Sequence, residues 1–311
     1  MSVSVCTLAY GRAEHLANLV RGLALSNLCP DELVVAVMQN EFYALPEAPF
    51  PVRQIDVSGQ SIPLARARNT AARAASGDLL IFLDVDCIPH PDLVGDYQRA
   101  AETDRGVFMG EVGYLPEGAT AGGIDYERFE TLAVKHSERA GPPTAPTGYC
   151  EDYRCFWSLN FALAAETFAK SGGFDESYVG YGGEDTDFGR CLTSAGINLW
   201  WVRGARAYHQ YHPHHMPPVH HLDSVLTNAA CFKAKWGEET MQHWLRAFTL
   251  MGLIKRDGAG GWVKLREPND ADLAMTRQQE HQPFASSAWV LDQLEARELD
   301  AGRRQAAIAS A

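Results

Sequence analysis

Two acidic clusters hold the residue types in this chain that can do chemistry. One is Asp84-Val85-Asp86, directly after the apolar run Leu79 to Leu83. The other is Glu184-Asp185, with Gly180-Tyr181-Gly182-Gly183 before it and Thr186-Asp187 after it. Carboxylates two residues apart at the end of a strand point the same way by alternation. Such a pair suits Mg²⁺ or Mn²⁺, which take oxygen ligands and keep substrate phosphates in their shell. The second pair opens a helix, where glycines let the backbone approach a ligand and acids meet the positive helix end. Together they point to a metal-held sugar nucleotide on one side and a catalytic base on the other.

The elements that must position these clusters follow an alternating strand and helix pattern, the signature of an α/β sheet. Ser2 to Leu8 reads as a strand, Arg12 to Leu25 as a helix with apolar Leu16, Leu19, Val20 and Leu23, and Leu33 to Met38 and Val52 to Val57 as strands. Leu64 to Ala75 is an alanine-rich helix, and Leu79 to Leu83 is a buried strand. Ligands of open α/β sheets sit beyond the carboxyl ends of strands, where Thr7 to Arg12 and Asp84 to Asp86 both fall. Further on, Val107 to Tyr114 reads as a strand, Tyr126 to His136 as a helix within a Gly/Pro-punctuated region, Gly118 to Gly148, and Phe156 to Ala164 as a strand. Two helices, Glu166 to Ser171 and Thr186 to Ala195, and a strand, Asn198 to Val202, complete the domain. His209 to His221, with six histidines and three prolines, reads as a loop. Leu222 to Trp236, Glu239 to Ile254 and Phe284 to Ala309 read as helices around a polar stretch, Gly258 to Gln282. The reading is residues 1–221 as the nucleotide-binding domain and 222–311 as a helical extension.

Composition narrows the function class. The 311 residues carry a net charge of −12, with 46% hydrophobic and 21% charged residues, which argues against non-specific nucleic-acid binding and a polybasic anchor. Apolar runs are strand-sized, so no transmembrane segment is expected, though peripheral membrane contact remains open. No signal segment follows Met1, and the seven scattered cysteines read as reduced thiols, so a cytoplasmic location is expected. Cys150 and Cys155 match no common zinc spacing.

The stretch Ser61-Ile62-Pro63-Leu64-Ala65-Arg66-Ala67-Arg68-Asn69-Thr70-Ala71-Ala72, running on through Gly77-Asp78 to Asp86, resembles the first half of family 2-type glycosyltransferases of the GT-A fold. Gly172-Gly173-Phe174-Asp175-Glu176 with Gly180 to Asp187 is similar to the carboxy-terminal motif of β-1,4-galactosyltransferases. That resemblance implies a GT-A, Rossmann-like nucleotide-sugar sheet and a metal-dependent, inverting transfer of a hexose onto an acceptor hydroxyl, on a glycan or another molecule. The donor it implies is a UDP-hexose of galactose or glucose type. It implies Asp185 as the general base, Glu184 and Gly183 as contacts to sugar, and Tyr181 stacking on a pyranose where the family has tryptophan. Asp after Glu, where retaining relatives carry Asn, favours inversion. Asp86 and His209, 24 residues beyond Asp185, would hold Mn²⁺ or Mg²⁺. Asp84, Arg66 and Arg68 would face the diphosphate. Thr7, Tyr10 and Arg12 resemble the loop that holds the base, with Tyr10 on uracil and Arg12 on a phosphate or capping the local fold. Asp56 reads base or ribose, and Asn160 is a donor- or acceptor-side contact. His212, His214, His215, His220 and His221 belong to a loop that can close over the donor. Two other readings exist: a haloacid-type phosphatase, whose nucleophile motif also has Asp-x-Asp but wants a different following sequence, and a degenerate GT-A protein serving as a glycan-binding or scaffolding subunit.

Overall fold

The computed structural model describes residues 1–59, 62–139, 141–278 and 282–309. Ser61, at the head of the Ala-Arg-Asn stretch, and residues 140, 279–281 and 310–311 of the longer segments above lie outside the described residues. The chain divides into two compact units, Met1–Tyr211 and His212–Ala311.

The first unit begins β1 (Val3–Ala9), α1 (Ala13–Ala24), β2 (Glu32–Val37), β3 (Val52–Asp56), α2 (Leu64–Ala74), β4 (Leu79–Leu83) and β5 (Cys87–Pro89). It continues with α3 (Leu93–Thr103), β6 (Val107–Met109), β7 (Val112–Tyr114), α4 (Tyr126–Leu132), β8 (Val134–Lys135) and β9 (Thr147–Cys150). Last come β10 (Asn160–Ala164), α5 (Ala165–Ser171), α6 (Glu184–Ser194), β11 (Leu199–Val202) and β12 (Ala207–His209). Eight strands form the main sheet in the order β3-β2-β1-β4-β10-β6-β11-β9, and β5-β12-β7-β8 form a smaller one. Strands β1, β2 and β4 are buried along their whole length, which is why they read as unbroken apolar runs rather than alternation. Leu16, Leu19, Val20 and Leu23 of α1 are fully buried against this sheet's core. Pairing is parallel from β3 through β4. The chain leaves β1 towards β2 and β3, then returns to lay β4 on β1's other side. The carboxyl ends of β1 and β4 therefore flank the point where strand order reverses, the place where such sheets leave a crevice.

Several elements differ from the sequence reading. Val107 to Tyr114 is two strands in two sheets, broken at Gly110, where a Cβ would sit 2.2 Å from the Ala205 carbonyl oxygen. The helix from Tyr126 stops at Leu132, because Val134–Lys135 pair with β7. The strand expected from Phe156 starts only at Asn160, after a 3-10 turn, Tyr153–Cys155.

The second unit holds α7 (Leu222–Trp236), α8 (Gln242–Leu250), a hairpin of β13 (Ile254–Arg256) and β14 (Trp262–Lys264), α9 (Asp270–Thr276) and α10 (Ser287–Ala309). The extension is thus not wholly helical. Glu239 to Ile254 is not one helix, since α8 ends before Gly252, at φ 68°, and the chain turns into the hairpin. Val219, Leu222, Val225, Leu245, Phe248 and Leu253 form this unit's own core. A capping box joins Asn269 and Asp272 at the start of α9. No described helix is long and apolar enough to cross a membrane.

Candidate active site

The crevice at the switch point is where the two acidic clusters meet. After β1, Arg12 adopts a left-handed conformation (φ 49°) at the head of α1, and its guanidinium forms an ion pair with Asp86. After β4 the chain turns at once, with the Cys87 N–H donating to the Asp84 carbonyl at 2.9 Å. Because β4 stops at Leu83, strand alternation does not govern the pair. Asp84 meets Arg68, whereas Asp86 meets Arg12 and His209. Antiparallel pairing of β5 with β12 sets Cys87 opposite His209, and the Gln210 N–H donates to the Asp86 carbonyl at 2.7 Å. That register brings His209 Nε2 to 3.5 Å from Asp86 Oδ1. Tyr114, at the end of β7, stacks on the His209 ring with centroids 4.7 Å apart.

Helix α2 fastens the second cluster to the first. Arg68, 4% exposed, donates from Nη2 to Asp84 at 3.3 Å and from Nη1 to Glu184 at 3.2 Å. The neighbouring Asn69 holds the glycine loop by its backbone. Its Nδ2 donates to the Phe174 carbonyl at 2.8 Å, and its Oδ1 accepts the Phe174 N–H at 2.8 Å. Gly173 is required here twice over: its φ is 74°, and a Cβ would lie 2.6 Å from Asn69 Oδ1. Gly182 and Gly183 follow at φ 92° and 91°, the second as the N-cap of α6. Glu184, Asp185 and Asp187 then fill the first helical turn, where the macrodipole favours anions. Tyr178 donates to Asp187 at 3.2 Å, so that third acid is tied down inside the protein.

Charge in the crevice is unbalanced. Asp84, Asp86, Glu184 and Asp185 face the guanidinium groups of Arg12 and Arg68. Burial, with Glu184 alongside, pushes the Asp185 carboxyl up to about 7 despite Arg68. Burial likewise raises Asp84 to about 6, with Arg68 opposing and Asp86 adding to the rise. Tyr181 beside these acids is also pushed up, chiefly by burial. An excess of carboxylate over guanidinium is a setting a divalent cation relieves. The 3.5 Å between Asp86 Oδ1 and His209 Nε2 lies inside the span of two metal bonds of ~2.1 Å each. Carboxylate plus imidazole is a donor set that Mn²⁺ accepts. Arg68→Met is expected to lower stability by about 3–5 kcal/mol, because it leaves two acids buried without their cation; urea denaturation measures it.

The remaining candidates are distributed unevenly. Thr7 is buried at 1% exposure, whereas Tyr10 is open at 59%. Asp56 is exposed at the end of β3 and accepts from the Ser58 N–H at 2.7 Å; the Ser58 hydroxyl first and this N–H second lower its pKa. Arg66 donates to the carbonyls of Val57 and Ser58, so it braces the chain after β3. Arg68 is held inside the protein by two acids, not extended toward solvent. Asn160 is 0% exposed, accepts from Tyr97 and donates to the carbonyls of Glu111 and Ala205, contacts that anchor it in the core. Tyr181 and Asp185 are half-buried, and Gly183 and Glu184 are buried. Sequence reasoning missed Asn69 and Tyr114. Asn69 was visible in the Ala-Arg-Asn run, but Tyr114 gave no signal, since its place depends on β7 leaving the main sheet.

Residues 44–147 match the glycosyl transferase family 2 model, and residues 144–215 match the model described as the N-terminal domain of galactosyltransferase. Chondroitin synthase of Escherichia coli is 29% identical over 52% of this chain and 26% of its own length. Validoxylamine A glucosyltransferase of Streptomyces hygroscopicus subsp. jinggangensis is 28% identical over 55% of this chain and 44% of its own. The chain therefore spans less than half the length of these relatives. An uncharacterized glycosyltransferase of Bacillus subtilis, YfnE, is 25% identical over 74% of this chain and 69% of its own. Among solved structures, GalNAc-T7 with UDP, GalNAc and Mn²⁺ shares the fold at a TM-score of 0.51 and 17% identity, over 68% of this chain and 43% of that one. The chain thus carries stretches similar to the glycosyl transferase family 2 and galactosyltransferase models, which together run through the turn after β4 and the start of α6 that supply the acids, and it has a GT-A type fold.

Proposed function

We propose that this protein is a metal-dependent, inverting hexosyltransferase that uses a UDP-sugar and has Asp185 as its general base. The observation that carries the reading is the Arg68 bridge, which ties Asp84 on the Asp-x-Asp side to Glu184 on the glycine-motif side. It makes one site of two sequence clusters. Asp185 takes the proton of the acceptor hydroxyl as that oxygen bonds to the anomeric carbon, and the bond to the diphosphate breaks on the opposite face. A carboxyl raised to about 7 is both ionised and basic enough near neutral pH. Glu184 accepts from Arg68 at Oε1, which leaves Oε2 for a sugar hydroxyl. Tyr181 offers its ring to a pyranose. Asp86 and His209 would hold Mn²⁺ or Mg²⁺, which when bound neutralises charge on the departing diphosphate. Arg12, paired with Asp86 here, becomes available to donor phosphates once a cation takes that carboxylate. A relative named as a glucosyltransferase supports a hexose donor. Seven cysteines without a disulfide suit a reducing, cytoplasmic setting, and the acceptor is a hydroxyl-bearing molecule such as a glycan.

A thermal-shift screen of nucleotide sugars with Mn²⁺ or with EDTA tests the donor and the metal together. A UDP-hexose at a hundredfold excess over its Kd is expected to stabilise the protein by about 2.7 kcal/mol, in Mn²⁺ only. Equal shifts in EDTA, or a response confined to purine nucleotides, would count against the proposal. Product NMR is expected to show the anomeric configuration opposite to the donor's, whereas retention would remove Asp185 from the base role.

A further inference from the structure

Arg139 is 6% exposed, and its terminal nitrogens Nη1 and Nη2 have no hydrogen-bond partner among the described residues. The guanidinium lies over two indoles, 5.0 Å from the ring centroid of Trp157 and 5.1 Å from that of Trp201. Each such contact offsets part of the desolvation, but less than burying an ion without a counter-charge costs. Arginine cannot escape that cost by losing its proton. The partner this group requires is therefore absent among the described residues.

Arg139 also lines a cavity of about 240 Å³, together with Lys135, Trp201, Arg206, Glu111 and Glu130. The two acids are already engaged: Arg206 donates to Glu111 at 2.9 Å and to Glu130 at 2.5 Å. Lys135, on the exposed strand β8, donates to the Arg139 carbonyl at 3.1 Å, an uncharged acceptor. Two cations in the wall thus lack a carboxylate among the described residues, in a protein whose net charge of −12 gives anions no general attraction.

We propose that this cavity binds a small carboxylate, held by Arg139 and Lys135. The planar guanidinium fork matches a carboxylate with two parallel hydrogen bonds. The cavity is smaller than the roughly 300–1,000 Å³ of a drug-sized ligand site, so it takes a group of few atoms. That carboxylate is either a free small acid or one borne on a sugar ring. The site shares no residue with the centre around Asp86 and Asp185, and its test needs no turnover.

Calorimetry and thermal shift at constant ionic strength, with sodium acetate, glucuronate, sulfate and chloride, test the assignment on the full chain. A saturable rise in Tm with a carboxylate is expected. Response to glucuronate alone assigns a sugar-borne acid, and response to acetate as well assigns a free one. Lys135→Ala, at an exposed position, is expected to weaken that binding about tenfold or more. Arg139→Met is expected to abolish it while leaving Tm in chloride unchanged or higher, since an uncompensated buried charge is removed. No saturable response to either carboxylate, a response to sulfate only, or undiminished binding in Lys135→Ala would overturn the proposal, and these outcomes stand even if Arg139→Met fails to fold.

Discussion

Asp185→Asn is expected to lower sugar transfer by about 10²–10⁴-fold, the usual worth of a positioned base, while donor binding persists. The amide keeps the shape of the side chain and removes only its capacity to accept a proton. In the unsubstituted protein kcat/KM is expected to fall about tenfold per pH unit below the base's pKa, which stands near 7, and to level off above it. A flat profile between pH 5 and 8 would place the base elsewhere. Stability supplies the control. Burial raises the carboxyl above the ~3.9 of an unfolded aspartate, so the fold favours the protonated acid. That contribution is fully present below the unfolded value and is lost as pH rises through about 7. Asp185→Asn is therefore expected to leave Tm at pH 8 unchanged or raised, which separates lost chemistry from lost folding.

The second large effect concerns the cation. Removing it with EDTA, or changing His209→Ala, is expected to reduce transfer by about 10³-fold or more. A metal supplies several kcal/mol of charge stabilisation, at about 1.4 kcal/mol per decade of rate. Calorimetry of UDP with and without Mn²⁺ is expected to show a metal-dependent gain in affinity that His209→Ala and Asp86→Asn both diminish. Little stability should be lost in Asp86→Asn, because its partner Arg12 is 38% exposed at its side chain and water takes over much of the pairing. Identical UDP affinity with and without Mn²⁺ would refute the metal role of both residues.

The two families of change differ in what they test. On the proposed mechanism Asp185 would act only when a hydroxyl is being deprotonated, so its loss is expected to spare binding. On the same proposal Asp86 and His209 would act, through the cation, on the diphosphate in both bound and departing forms, so their loss is expected to reach binding and turnover alike.

The sequence by itself determined the elements whose signals are local. The run Leu79–Leu83 and the helix Leu222–Trp236 were read with the bounds they have, because an apolar run and a helical period are complete within their own windows. It also determined the residue types of the centre, since a glycine-framed Glu-Asp and a strand-end Asp-x-Asp need no fold to be noticed. Only the tertiary structure decided which acid faces which partner. Arg12 and Asp86 are 74 residues apart, and Arg68 and Glu184 are 116 apart, distances over which no periodicity carries information. Gly110 breaks a strand because Ala205 lies against it, and Ala133 starts a strand connection because β7 offers an edge. Asn160, placed in the site by its neighbours in sequence, is buried against Tyr97 and two carbonyls. Arg139 gave no signal at all, because an arginine without a counter-ion among the described residues becomes conspicuous only when packing has removed it from water.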